Sequence, residues 1–106
     1  MGGWIAMRLA LIKPSLVISL ILEDTAGLSS SESLETLSRL NASRIPTLVV
    51  WGSNDAVIPS STAELIGSSV DSSHVVIIDS GGHVPHWEQP HAFNEAVISF
   101  LEGLGM

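Results

Sequence analysis

The sequence contains no cysteine and few basic residues, and each scarcity excludes a class of function. Without cysteine the chain can form no disulfide and has no thiolate for catalysis or metal binding. This composition fits a reducing compartment, so we expect a cytoplasmic protein. Only 4 Lys and Arg face 11 Asp and Glu, and the formal net charge is -7. Such a chain has no basic stripe for phosphate, which argues against nucleic-acid binding.

The sequence also lacks an uninterrupted apolar run long enough to cross a membrane. Residues 4–22 are largely apolar, but Lys13 and Pro14 divide them, and Pro14 ends a helix. A membrane span needs about 20 consecutive apolar residues. No basic stretch precedes the apolar segment, as one would in a signal peptide, and no basic amphipathic helix is present. We therefore expect a buried segment and no membrane contact.

Helical and strand patterns alternate along the chain, which has 106 residues and is 45% hydrophobic, enough for one domain with a modest core. The patterns predict, in order, a helix over Gly2–Ile12, a strand over Leu16–Leu22, a short helix over 31–40, a strand over 45–51, a helix over 59–67, a strand over 74–79 and a helix from Pro90. This order predicts an α/β fold, a three-stranded parallel sheet flanked by helices. The first helix is apolar nearly all round, which predicts burial, and Leu34, Leu37 and Leu40 predict one apolar face on the second.

Three polar residues directly follow predicted strands: Asp24, Asp55 and His83. In parallel α/β sheets, ligands bind beyond the carboxyl ends of the strands. An imidazole beside a carboxylate there suits a general base and the acid that orients it. The pattern also allows a simpler interpretation, in which Asp55 is a turn residue and His83 a loop histidine.

The other histidines, His74, His86 and His91, have no helical spacing that would build a metal site with His83. We expect no metal and no cofactor. His86 and Trp87 are predicted to pack on the loop, and Glu88 to cap the last helix. Trp4, Trp51 and Trp87 are predicted to lie in the core or in a pocket wall.

Three segments resemble the α/β-hydrolase superfamily. Residues 51–59 (WGSNDAVIP) resemble its acid loop, residues 82–94 (GHVPHWEQPHAFN) its histidine loop and final helix, and residues 2–27 the helix after the nucleophile and the sixth strand. The resemblance implies a partial α/β-hydrolase domain, the carboxyl-terminal half: residues 1–27 after the nucleophile, 28–44 a much reduced lid region, and 45–106 the acid and histidine units. It implies serine-hydrolase chemistry on an ester or related bond, with Asp55 orienting His83. Asp24 is the alternative acid, since some members carry the carboxylate after the sixth strand.

The nucleophile of that family lies in a Gly-x-Ser-x-Gly-Gly turn, and this sequence departs from it. Met1-Gly2-Gly3 resembles the last three residues of the turn, so the serine would fall immediately before Met1. Met1 stands where the family places one oxyanion N–H. Ser53 and Ser80 lack the glycine-flanked turn that would expose a nucleophile. We therefore expect this chain to be inactive alone and to act on a small ester-like molecule only when completed.

A second hypothesis is a non-catalytic remnant or isoform. The resemblance implies that the Leu16–Leu22 strand is an exposed sheet edge, because its other neighbour belongs to the missing half. An unpaired apolar edge invites pairing with another chain. This hypothesis predicts self-association or pairing with a partner subunit through that strand.

Overall fold

A computed structural model of the chain describes residues 2–12, 19–23, 31–56, 58, 60–79, 82–83 and 85–105. Its elements are, in chain order, helix α1 (Gly2–Ile12), strand β1 (Leu20–Glu23), helix α2 (Ser31–Ser43), strand β2 (Thr47–Gly52), helix α3 (Ser61–Ser69), strand β3 (Ser73–Ile78), the short helix α4 (Pro85–Glu88) and helix α5 (Pro90–Gly103). The predicted alternation of helices and strands is confirmed. Helix α4 is an addition, because its residues were predicted to lie in a loop.

The three strands form one parallel sheet in the order β1-β2-β3. The register aligns Leu22 with Val49, and Val49 with Val75. Parallel neighbours require crossover connections, and α2 and α3 provide them. The predicted three-stranded parallel sheet flanked by helices is therefore confirmed. The first strand is described over Leu20–Glu23, and residues 16–18 of the predicted Leu16–Leu22 strand lie outside the described part of the chain.

Strand β2 is buried along its whole length, because helices cover both faces of the sheet at its centre. Its side chains alternate between two apolar clusters. Val49 and Trp51 belong to the cluster shared with α1, α2 and α3, whereas Leu48 belongs to the cluster with Phe100 of α5. Full burial of a large apolar side chain contributes about 1.5–3 kcal/mol. The loop that follows β2 is thus attached to the most firmly packed strand of the sheet.

Helix α1 buries only one side. Met7 and Ala10 have no exposed surface, whereas Leu9 and Ile12 are exposed. The expectation of burial nearly all round is wrong for these two residues, since the described elements cover one face of the helix.

Helix α2 occupies most of the region predicted to be a reduced lid. Leu37 and Leu40 are buried in the cluster with α1 and α3, but Leu34 is exposed. The predicted apolar face is therefore buried only in its second half. Arg44 follows in the left-handed conformation, with φ 58°, and the chain then passes Pro46 into β2.

Candidate active site

The carboxyl end of β2 leads into a tight turn that carries Asp55. The Ser53 N–H donates to the Ile78 carbonyl over 3.1 Å, which extends the contact between β2 and β3. The Asp55 N–H then donates back to the Gly52 carbonyl over 3.3 Å. These bonds fix the backbone at the edge where the sequence predicts a ligand site.

The Asp55 carboxylate is held by the loop itself. Its Oδ1 accepts the Ile58 N–H at 2.9 Å. The Ile58 carbonyl in turn accepts the Trp51 Nε1–H at 3.0 Å, and Trp51 is completely buried. The predicted core position of Trp51 is thereby confirmed, and the acid is connected through two hydrogen bonds to the core.

The His83 imidazole lies against this carboxylate. Its Nδ1 is 2.9 Å from Asp55 Oδ2, and the Asp55 side chain has 0% exposed surface against 41% for His83. An ionised carboxylate can only accept a hydrogen bond, so Nδ1 carries the proton and donates it. Nε2 then carries the lone pair in the neutral imidazole. A base with its tautomer fixed in this way can accept a proton from a hydroxyl.

The loop around His83 is braced by Glu88 of α4. The Gly82 N–H donates to Glu88 Oε1 over 3.1 Å. A Cβ at position 82 would lie 2.5 Å from Glu88 Oε2, closer than real contacts permit. A larger residue at position 82 would therefore require the Glu88 carboxylate to move away from the backbone.

A second imidazole–carboxylate pair lies at the same end of the sheet. His86 Nδ1 is 2.7 Å from Glu23 Oε1 and 2.9 Å from Oε2, and the His86 backbone N–H donates to Oε2 over 2.8 Å. The His86 ring also lies 5.8 Å from the Phe93 ring. His86 was predicted to pack on the loop, whereas it lies in helix α4, and Glu23 was not predicted as a site residue. The available signal was an acid that closes an apolar strand, one residue before Asp24.

The structure thus brings the predicted pair His83 and Asp55 together. Asp24 and Met1, named as the alternative acid and an oxyanion donor, lie outside the described residues. Trp87 was predicted to lie in the core or in a pocket wall, and its 80% exposure excludes the core.

Within the described ranges, no three His, Cys, Asp or Glu side chains form a group that could hold a metal ion. His74 instead makes an edge contact with the Phe100 ring, and His91 pairs with Glu95 on α5. In the same part of the chain, no helix has both the length and the apolar character needed to cross a membrane.

A groove of about 780 Å³ lies between β3 and α5, lined by residues that include His74, Asp79 and Phe100. His83 and Asp55 are not among its lining residues. The groove and the imidazole–carboxylate pair are therefore separate features.

Comparison with known proteins identifies the fold. Residues 21–104 match the model of an α/β-hydrolase family described as TAP-like protein. A 2-hydroxy-6-oxononadienedioate/2-hydroxy-6-oxononatrienedioate hydrolase of Pseudomonas putida is 34% identical over 65 residues, which are 61% of this chain and 23% of that protein.

Solved structures agree with this match. A CIB-like hydrolase from Thermoplasma acidophilum superposes with a TM-score of 0.84 at 27% identity, over 95% of this chain and 46% of that one. An α/β-hydrolase enzyme from a sediment metagenome of the Mar Chica lagoon gives 0.86 at 23%, over 99% and 59%. The chain accordingly spans about a quarter of the curated relative and about half of each solved structure. With its parallel sheet, its flanking helices and this match over most of its length, the chain belongs to the α/β-hydrolase superfamily and corresponds to part of that fold.

Proposed function

We propose that His83 and Asp55 supply the general base and its orienting acid to a serine-hydrolase active site that cleaves an ester or related bond of a small molecule. The observation that carries the proposal is the 2.9 Å contact between His83 Nδ1 and the buried Asp55 carboxylate. The match to an α/β-hydrolase family supports it, as does a relative named as a hydrolase.

In this mechanism the lone pair of His83 Nε2 takes the proton of a serine hydroxyl as the serine oxygen attacks the substrate carbonyl. Asp55 holds the tautomer and stabilises the imidazolium, and the same proton then passes to the leaving group. The serine and the second oxyanion donor come from residues outside this sequence, and Met1 is the candidate for the first donor.

We infer that the chain alone has little or no hydrolase activity. The oxyanion donors and the nucleophile account for most of the rate in this chemistry, and a base with its acid does not replace them. Ser53, the serine of the acid loop, lies on an exposed turn between Gly52 and Asn54. It lacks the glycine-flanked geometry that presents a nucleophile.

The test measures hydrolysis of a short-chain p-nitrophenyl ester and labelling by a fluorophosphonate probe. Both are measured on the chain alone and after addition of a serine-bearing amino-terminal half, taken from the in-frame sequence upstream or from the Pseudomonas putida relative. We expect activity and labelling only in the mixture.

Asp55→Asn should lower kcat about 10⁴-fold because the histidine tautomer is lost. Asp71→Asn and His91→Ala, at exposed positions, are the matched controls. Equal activity of the Asp55→Asn and Asp71→Asn mixtures would contradict the proposal.

A second candidate function is non-catalytic association with another chain. Its support is the position of β1, which pairs with β2 alone among the described strands and so forms a sheet edge. Light scattering of the purified chain at micromolar concentration tests this candidate. Dimers or larger species that persist after His83→Ala would favour it, whereas a monodisperse monomer would argue against it.

A further inference from the structure

Glu23 and His86 are joined more extensively than a surface ion pair requires. The two carboxylate oxygens of Glu23 accept from the His86 imidazole, and one of them also accepts the His86 backbone N–H, with all three distances between 2.7 and 2.9 Å. The two residues are 63 positions apart in sequence. The contact therefore connects the end of β1 to both the side chain and the backbone of His86.

The position of Glu23 makes this tie relevant to His83. Glu23 is the last residue of β1 and lies in register with Val50 of β2. Asp55 follows the end of β2, so the two acids come from neighbouring strands at one edge. Their imidazole partners both follow β3, His83 in the loop and His86 in helix α4 directly after it. The loop is consequently held to two strands through two imidazole–carboxylate contacts.

Further hydrogen bonds connect Gly82 and Gln89 to helix α4. The Gly82 N–H donates to Glu88, and the Gln89 N–H donates to the Pro85 carbonyl over 2.8 Å. Pro85 is buried. A displacement of helix α4 at His86 would therefore reach Gly82, the residue before His83, through Glu88.

We propose that Glu23 and His86 are positioning residues, which hold the loop so that the His83 imidazole keeps its distance to Asp55 and its direction towards the reacting hydroxyl. The inference rests on the proposed function, because only there does the direction of Nε2 affect a reaction. Glu23 and His86 act on His83 through the segment that carries it. They are thus distinct from the acid and the base of the reaction.

The chain contains a matched control for this pair. His91 and Glu95 have the same chemistry on the surface of α5, but they share one contact of 3.3 Å, with side chains 92% and 70% exposed. The corresponding values for His86 and Glu23 are 51% and 21%. Glu95→Gln therefore removes the same charge without loosening the loop.

The first experiment is NMR spectroscopy of the chain labelled with ¹⁵N. In the wild type we expect an Nδ1–H tautomer at both His83 and His86. Glu23→Gln should speed amide exchange at His86 about tenfold, since the charged acceptor of this N–H is replaced by a neutral one. It should also broaden the His83 Nδ1–H signal. His86→Leu should act in the same way, whereas His86→Gln, whose amide can still donate to Glu23, should retain most of the protection. Glu95→Gln should change neither signal. Circular dichroism establishes that each variant is folded. If Glu23→Gln does not fold, the comparison of His86→Gln with His86→Leu provides the test.

The second experiment is kinetic and uses the mixture with the serine-bearing half. Glu23→Gln should lower kcat about tenfold with KM unchanged, because a misdirected base affects the reaction and not substrate binding. Unchanged His83 signals in folded Glu23→Gln and His86→Leu, with unchanged kcat, would overturn the inference and leave the proposed function intact. Altered His83 signals without turnover in any mixture would instead contradict the proposed function and support the positioning of the loop.

Discussion

The two imidazole–carboxylate pairs at the carboxyl end of the sheet use the same kinds of atoms but differ in the surroundings of the acid. Asp55 has no exposed side-chain surface, whereas Glu23 keeps 21%. Asp55 follows β2, which is buried throughout, and Glu23 ends β1, an edge of the described sheet. The imidazoles are more alike, with 41% of His83 and 51% of His86 exposed.

This difference indicates what each pair can do. When a buried carboxylate is removed, the backbone and imidazole donors that it accepted from lose their acceptor, and water does not take its place. Such a pair is fixed by the core and can hold one geometry through a reaction. Water can replace part of the contacts of Glu23, so its pair can be altered without unfolding the chain. The burial of Asp55 supports the proposed catalytic role of the first pair, and the partial exposure of Glu23 supports the proposed positioning role of the second.

The largest expected effect that separates the two pairs is on stability. Asp55→Ala removes the acceptor for the Ile58 N–H and for His83, and we expect a loss of about 2–3 kcal/mol in the free energy of unfolding. Glu23→Ala should cost about 1 kcal/mol, because both partners are partly exposed.

Urea denaturation followed by circular dichroism measures both losses, with Asp71→Ala at an exposed position as the control. A loss for Glu23→Ala equal to that for Asp55→Ala would break the distinction between a pair fixed by the core and a pair that holds a loop.

The first pair could be predicted from the sequence, and the second could not. Asp55 and His83 follow strands whose carboxyl ends meet at one edge of a parallel sheet, so pattern and topology together place them as neighbours. The pairing of His86 with Glu23 depends on the residue at which β1 ends. Successive side chains of a strand point to opposite faces, so an uncertainty of one residue hides which acid faces the loop.

The fold was predictable to a similar degree. The limits of α1 agree with the periodicity, and the limits of β2 and β3 differ from the predicted ones by one or two residues. Helix α4 was missed because its 4 residues are too short to show a helical period. The exposure of Leu9 and Leu34 was missed for another reason. An apolar pattern shows which side of a helix can be buried, but not how much of it neighbouring elements cover.

A smaller effect is expected at Gly82, in the loop that both pairs hold. Gly82→Ala would place a Cβ 2.5 Å from Glu88 Oε2, so the Glu88 side chain must move and its bond to the Gly82 N–H weakens. Because this carboxylate is the flexible end of its side chain, we expect a cost of only about 1 kcal/mol in the free energy of unfolding.

A double-mutant cycle with Glu88→Ala measures the coupling between Gly82→Ala and the Glu88 side chain. The cost of Gly82→Ala should nearly vanish in that background, and Gly103→Ala, with no atom within 4 Å of the added Cβ, is the control. An unchanged cost would indicate that the backbone at position 82, and not the Glu88 brace, requires glycine.

The smallest expected effect is at the surface pair of α5. Glu95→Gln should change the free energy of unfolding by less than about 0.5 kcal/mol, since an exposed i,i+4 pair contributes little and salt screens it. Urea denaturation at low and at high salt measures the change. The comparison becomes sharper if Glu23→Gln costs more than Glu95→Gln at both salt concentrations, because hydrogen bonds to a backbone N–H are less screened than an exposed ion pair. Equal and salt-sensitive costs would mean that Glu23 and His86 form an ordinary surface ion pair. The loop carrying His83 would then depend on Asp55 and Glu88 alone.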